Sequence, residues 1–298
     1  MHSGGQGELF GINPASPPDP EGWPKTIGHA AIKISENRSI LTPASGFMAG
    51  YDFTLNPYTG CTFGCAYCYA AAFVPDQEEQ RRWGEWVKVK KAAVKILEKQ
   101  AGKLEGKAVY MSSVTDPYQP VEKSTGITRA ILGVLTSVPD LRLTVQTRGP
   151  LVTRDFDLMA KIAHLRVNIT VTTDSEEDRK KFEPLCPSVD ARLIAVRELA
   201  GKGLNLGVTL TPLIRIREAD AFAEKLLATG ARRFVVQPFH ASSARSRGFR
   251  ATTRDEAIPL AKEMGWTQKG YEETVSKLRK ILGDRLEEGR GGFAPPLP

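Results

Sequence analysis

The segment "NPYTGCTFGCAYCYA", residues 56–70, carries three of the chain's four cysteines, Cys61, Cys65 and Cys68, in a C-x3-C-x2-C spacing, and the fourth, Cys186, lies far downstream. Thiols this close together read as metal-binding or redox, and as ligands their number decides the chemistry. Structural zinc takes four tetrahedral ligands, usually from two close pairs. Neither Cys186 nor any of the four histidines is spaced to complete such a set. Ferredoxin-type clusters also use four thiolates, with a local C-x2-C-x2-C run. A four-iron cluster held by three cysteines instead leaves one iron able to bind a substrate or cofactor. Gly60 and Gly64 would let the loop wrap such a group closely.

A loop of this kind needs a frame. After residue 45 a pattern recurs: a short β-branched or apolar run, a loop, then an amphipathic helix. Strands are predicted at 107–113, 141–147, 166–172, 204–210 and 232–239. Helices are predicted near 125–137, at 154–165 with Thr153 as cap, from Asp190 as cap with Leu193, Val196, Leu199 and Ala200 on one face, and at 218–231. Such alternation pairs strands in parallel through right-handed crossovers, so the chain reads as α/β with a barrel or partial barrel. Sites in these folds sit where strands end. There the polar residues gather: Ser112, Ser113, Thr115 and Asp116; Thr147 and Arg148; Thr170, Thr172 and Thr173; Thr209 and Thr211; Gln237 and His240. Singly, each is more readily a turn or cap residue. Their recurrence over five units favours a site.

The ends differ from this core. Residues 1–45 are rich in Gly, Pro, Ser and Asn and predict an extended arm ordered by packing, not by secondary structure. Beyond 240, "RSRGFRATTRDE" is basic and carries Phe249, a composition suited to phosphates and a stacked base or simply to a solvated loop. Residues 270–289 predict an amphipathic surface helix and the last residues an extended end.

With 298 residues and 41% hydrophobic content, the chain suits one large domain with extensions. It has no apolar run of membrane-spanning length, and its start has Gly and Pro where a signal peptide needs an apolar core, so no membrane association and a cytoplasmic location are expected. Clustered cysteines fit a reducing compartment. A formal charge of +7 favours a polyanionic partner without requiring one.

"CTFGCAYC", with an aromatic before the last cysteine, resembles the signature of the radical S-adenosylmethionine (SAM) superfamily. Together with "SSVTDPYQPVEKSTGITRAIL", "TRGPLVTRDFDLM" and "EPLCPSVDARLIAVRELAGKGLNLGVTLTPLI", it is similar to the spore photoproduct lyase-like branch of DNA repair photolyase-like proteins, over about residues 40–250. The resemblance implies a partial (β/α) barrel of the radical SAM type over 46–240, between an N-terminal arm (1–45) and a C-terminal extension (241–298). It also implies an enzyme with a [4Fe-4S] cluster on Cys61, Cys65 and Cys68 that cleaves S-adenosylmethionine reductively to a 5′-deoxyadenosyl radical for hydrogen abstraction. By the same resemblance Tyr67 and Tyr69 flank the adenine, Thr115 and Asp116 the methionyl amino group, and Thr170 the ribose. Arg148 faces the methionyl carboxylate, a planar partner its guanidinium suits, where relatives often have Lys. Glu183 and Arg192 would brace the loop over the cofactor. The implied partners are an electron donor of flavodoxin or ferredoxin type and a nucleic acid or nucleotide.

Blander roles stand beside these: core packing for the two tyrosines, a surface ion pair for Arg148, a loop and helix cap for Glu183 and Arg192, and a buried thiol for Cys186 against a hydrogen donor. One departure matters. Spore photoproduct lyases proper carry a hydrogen-donor cysteine where "MSSVTDP" has Ser113. A serine O–H bond is too strong to quench a carbon radical as a thiol does, so repair by that route is not expected. The rival readings are a radical enzyme acting on a peptide or small metabolite, and a non-catalytic iron–sulfur or zinc protein binding nucleic acid.

Overall fold

The computed structural model describes residues 20–239 and 254–298. Its strands, in chain order, are β1 (Thr26–Ile27), β2 (Ala30–Ser35), β3 (Leu41–Pro43), β4 (Phe53–Leu55), β5 (Tyr58–Thr59), β6 (Trp86–Lys90), β7 (Ala108–Met111), β8 (Arg142–Thr147), β9 (His164–Thr170), β10 (Leu206–Leu213), β11 (Arg233–Pro238) and β12 (Leu286–Glu288). They form a large sheet ordered β12-β11-β10-β9-β8-β7-β4-β3 and a small one ordered β1-β2-β6-β5. In the large sheet only β3 and β4 are antiparallel. Among the described residues β3 and β12 remain its edges, so it is an open, partial barrel.

Strand alternation divides the large sheet into two unlike faces. Val109, Leu143, Val145, Val167, Ile169, Val208, Leu210 and Val236 join the main apolar core, with Leu132, Val196 and Phe222 from the helices. The opposite face carries Tyr110, Thr144, Gln146, Thr170 and Thr209, tied by side-chain hydrogen bonds: Gln146 Nε2 donates to the hydroxyls of Thr170 (2.6 Å) and Thr209 (2.9 Å), and Tyr110 donates to Gln146 Oε1 (3.0 Å). These bonds offset much of the cost of burying the polar groups on this face; an exception is buried Asn168 of β9, whose side-chain amide has no hydrogen-bond partner among the described residues. The C-terminal end crosses it. Phe293 packs edge-on against Phe47, with centroids 5.5 Å apart, in a cluster that includes Val235 of β11 and Tyr110 of β7, so the sheet curls around it. Arg166 of β9 donates to the Ala294 carbonyl at 2.8 Å.

The five predicted strands form within a few residues of their expected bounds. Three helices differ. The one expected at 125–137 is broken by Gly126 at φ 60°, giving Glu122–Thr125 and Ile127–Leu135. The one expected from Thr153 is a 3₁₀ segment, Pro150–Asp155, and a single turn, Phe156–Met159, because β9 already begins at His164. The cap of Val189–Gly201 is Ser188, whose hydroxyl accepts from the Ala191 amide, and not Asp190. Among the described N-terminal residues, secondary structure rather than packing alone orders the chain: β2 runs parallel to β6 and β3 pairs with β4. The C-terminal helix is Gln268–Leu282, and β12 then edges the large sheet beside β11. No helix among the described residues is long and apolar enough to cross a membrane.

The small sheet exists to hold one loop. β5 pairs with β6 and runs directly into Gly60 and Cys61. Buried Tyr58 anchors it, donating to the Glu122 carboxylate and bonding the Thr125 hydroxyl at 2.8 Å. Gly60 has φ +83°, and a Cβ there would lie 2.5 Å from the ring of Trp86. Gly60→Ala should therefore combine left-handed backbone strain of about 1–2 kcal/mol with overpacking of about 1–3 kcal/mol. Urea unfolding is expected to show a loss of about 2–5 kcal/mol; a loss under 1 kcal/mol would mean that the loop does not sit on Trp86.

Candidate functional site

The three clustered cysteines occupy a loop with its own apolar surroundings. Cys61, Cys65, Phe63, Ala66 and Tyr67 pack with Trp83, Trp86, Phe182, Phe239 and, from the C-terminal region, Ala257 and Ala261. Cys61 and Cys65 are buried and Cys68 is partly exposed; all four cysteines are free thiols. Burial pushes the Cys61 thiol well above its ordinary value, with the Asp116 carboxylate adding to it, and raises Cys68 to about 11. Cys65 moves the other way. A hydrogen bond from Cys186 lowers it against the effect of burial, helped by the Arg148 guanidinium. Three thiols on one loop, two of them buried, fit an iron–sulfur cluster, whose ligands are thiolates; among the described residues the ligand atoms that lie within 4.8 Å of one another are those of Cys65, Cys186 and Glu183.

Two braces hold this loop. One comes from the turn after β7. Thr115 donates its hydroxyl to the Gly60 carbonyl at 2.6 Å. Gln119, fully buried, accepts from the Thr62 amide at 2.9 Å and donates to Thr115 Oγ1 (3.1 Å) and the Asp116 carbonyl (3.2 Å). Asp116 accepts from the Tyr118 amide (2.9 Å), the Thr147 hydroxyl (2.6 Å) and the Arg148 amide (2.7 Å). A carboxylate offers about four acceptor positions, so room for one more donor remains. Gln119 is the residue that sequence reading missed; nothing in "TDPYQP" distinguishes it from a turn polar residue.

The second brace comes from residues 182–187, after β9. The Ala66 amide donates to the Phe182 carbonyl at 2.8 Å. Cys65 Sγ and Cys186 Sγ lie 3.5 Å apart, so Cys186 is not the isolated thiol its sequence position suggests. Tyr67 donates its hydroxyl to Glu183. Glu183 is the hub. It also accepts from Thr172 (3.0 Å), from Arg192 (2.5 Å) and, more weakly, from Arg148 Nε (3.4 Å). Arg192 is fully buried and turns its remaining donors to the Pro187 and Thr170 carbonyls. Burial alone would raise the Glu183 carboxyl, but the Arg192 and Arg148 guanidiniums outweigh it and hold it at about 2.

The other expected cofactor contacts lie around this hub. Arg148 is 20% exposed, donates to the Tyr67 hydroxyl at 3.1 Å and stands 5.7 Å over its ring. Tyr69 is 42% exposed and donates to the Ser113 carbonyl. Thr170 is buried in the Gln146–Thr209 network, deeper than the rest. Ser113 Oγ accepts from Asn56 at 3.4 Å. Thr173 faces away, donating to the Arg215 carbonyl. His240 and the Arg-rich stretch around Phe249 lie outside the described residues.

The comparisons with known proteins agree with this geometry. Residues 55–226, more than half of the chain, match the Radical SAM superfamily. An uncharacterised protein of Methanocaldococcus jannaschii is 33% identical over 61% of this chain and 67% of its own. An uncharacterised protein of Mycobacterium bovis is 26% identical over 83% of this chain and 70% of its own. Among solved structures, a spore photoproduct lyase double mutant with bound AdoMet and dinucleoside spore photoproduct superposes with a TM-score of 0.61 at 15% identity, covering 86% of this chain and 81% of that one. At that identity the likeness is one of fold.

The Glu183 carboxylate, held at about 2 against an ordinary value near 4.5, stabilises the fold fully above about pH 4.5, and that contribution is lost as pH falls toward about 2. Glu183→Gln leaves Arg192 buried without its counter-ion, at a cost of about 3–5 kcal/mol near neutral pH. Unfolding curves across this pH range should show the variant less stable at neutral pH and less sensitive to acid. Equal acid sensitivity in the two proteins would remove Glu183 from the charge network.

Proposed function

The chain belongs to the radical SAM superfamily, whose enzymes use a [4Fe-4S] cluster and S-adenosylmethionine, and on that premise we propose a specific division of labour around the cysteine loop. Cys61, Cys65 and Cys68 hold the cluster. When bound, it supplies the electron that cleaves S-adenosylmethionine to a 5′-deoxyadenosyl radical. Everything else falls to this chain's own side chains, which position the cofactor and exclude water.

The observation that supports this reading best is a charge imbalance. Beside Cys65 stand two guanidiniums, Arg148 and Arg192, and one carboxylate, Glu183. Arg192 holds one oxygen of Glu183 at 2.5 Å while Arg148 reaches the other only at 3.4 Å, and Asp116 takes the backbone amide of Arg148, so the part-exposed Arg148 guanidinium is the group left to pair with an anionic carboxylate. Tyr67 and Tyr69 then border the adenine, Thr115 and the last acceptor position of Asp116 the amino group, and Thr170 the ribose side. An electron donor of flavodoxin or ferredoxin type is the required partner. The anaerobically reconstituted protein, given dithionite and S-adenosylmethionine, should release 5′-deoxyadenosine. Arg148→Ala should keep its iron and sulfide while binding S-adenosylmethionine about tenfold to hundredfold more weakly, the loss of one charge-assisted pair. Unchanged affinity would take Arg148 out of the cofactor site.

For the substrate we propose a nucleic acid or nucleotide. The charge of +7 supports it, as does the fold shared with a lyase whose structure holds a dinucleoside photoproduct. Ser113 argues for a reaction other than thymine restoration in that lesion, since it offers no thiol. Labelled oligonucleotides should bind with little sequence preference, and log affinity should fall with log salt at about −0.9 per phosphate contacted on duplex DNA. Absence of binding even at low salt would make a peptide or small metabolite the leading substrate class.

A further inference from the structure

Cys186 and Cys65 are 121 positions apart in sequence, yet their sulfurs are 3.5 Å apart and both are buried. We propose that Cys186 is a positioning residue that tunes the cluster: its S–H donates a hydrogen bond to the Cys65 sulfur and raises the cluster's reduction potential. The inference rests on the reading of Cys65 as a cluster ligand.

The loop presents this thiol in a fixed place. The Cys186 amide donates to the Glu183 carbonyl at 3.1 Å. Arg179 Nη1 donates to both the Cys186 carbonyl (2.9 Å) and the Glu183 carbonyl (2.8 Å). Arg192 holds the next carbonyl, that of Pro187, through Nε at 3.0 Å and Nη2 at 2.8 Å. Two buried arginines therefore fix the backbone on either side of the thiol, and its side chain ends on Cys65.

The direction of the hydrogen bond follows from chemistry. An iron-bound thiolate has no proton to give, so Cys186 is the donor and Cys65 the acceptor. Reduction adds negative charge that spreads onto the cluster's sulfurs, and a donor aimed at one of them stabilises the reduced state more than the oxidised one. In surroundings this poor in water the effect is not diluted. The same distance excludes a fourth-ligand role. Sulfurs 3.5 Å apart would share a single iron, whereas each iron of the cube takes one protein ligand.

The test is an EPR-monitored redox titration of reconstituted wild type, Cys186→Ala and Cys186→Ser, each with iron and sulfide counted first. All three should carry the full cluster. Cys186→Ala should be reduced about tenfold less favourably at a given poise, a midpoint about 59 mV more negative for a one-electron couple. Cys186→Ser, which keeps an O–H donor, should recover part of the shift; Cys186→Val, which fills the space without a donor, should match Ala and serves if the Ala variant folds poorly. A wild-type midpoint in the donor-free variants would overturn the proposal, and so would loss of iron, which would make Cys186 a ligand. Retention of a full cluster by Cys65→Ala would instead refute the ligand assignment beneath it.

Discussion

One buried carboxylate ties the site together. Glu183 receives a phenol from the cysteine loop, a hydroxyl from the end of β9, and guanidiniums from Arg192 and Arg148. An ion pair buried this deeply is weak evidence for stability, because desolvation offsets much of the attraction. Its value here is geometric. Each donor reaches Glu183 from a different element, so the cysteine loop, the 182–187 loop and the β8 terminus can meet in one arrangement only.

The rest of the fold supplies what that arrangement needs. β5 and β6 fix where the cysteine loop starts, Tyr58 locks β5 to the Glu122–Thr125 turn, and Gln119 closes the loop against the strand-end turn. The large sheet then separates two environments. Its helix-covered face is hydrophobic core, whereas its inner face carries the polar network of Gln146, Thr170 and Thr209. Tyr110, Gln146, Thr170 and Thr209 hold one another's positions on that face, whereas the amide of Asn168 stays unpaired among the described residues.

Much of this was legible in the sequence because it is written in local patterns. The C-x3-C-x2-C spacing, the alternation of strands with helices and the polar residues at strand ends are all short-range signals, and the structure joins Thr115, Asp116, Thr147, Arg148 and Thr172 around the cysteine loop. What was missed depends on distant partners. The strand Ala30–Ser35 exists because β6 offers it an edge, which a Gly- and Pro-rich arm does not announce. Ser188 and Asp190 are both good caps, and only the backbone decides that the hydroxyl reaches Ala191. Cys186 looked solitary because its neighbour lies 121 positions away. Gln119 has an ordinary composition context and becomes a clamp only when the two loops are apposed.

If Cys61, Cys65 and Cys68 alone hold the cluster, one of its irons stays open to S-adenosylmethionine. Mössbauer spectroscopy of ⁵⁷Fe-reconstituted protein, recorded with and without S-adenosylmethionine, reads that iron directly. A single iron site should change its isomer shift and quadrupole splitting on addition of the cofactor while the remaining sites stay as they were. Spectra that do not change, or an iron content that fits a lone metal ion in place of a cluster, would rule out an open iron held by these three cysteines.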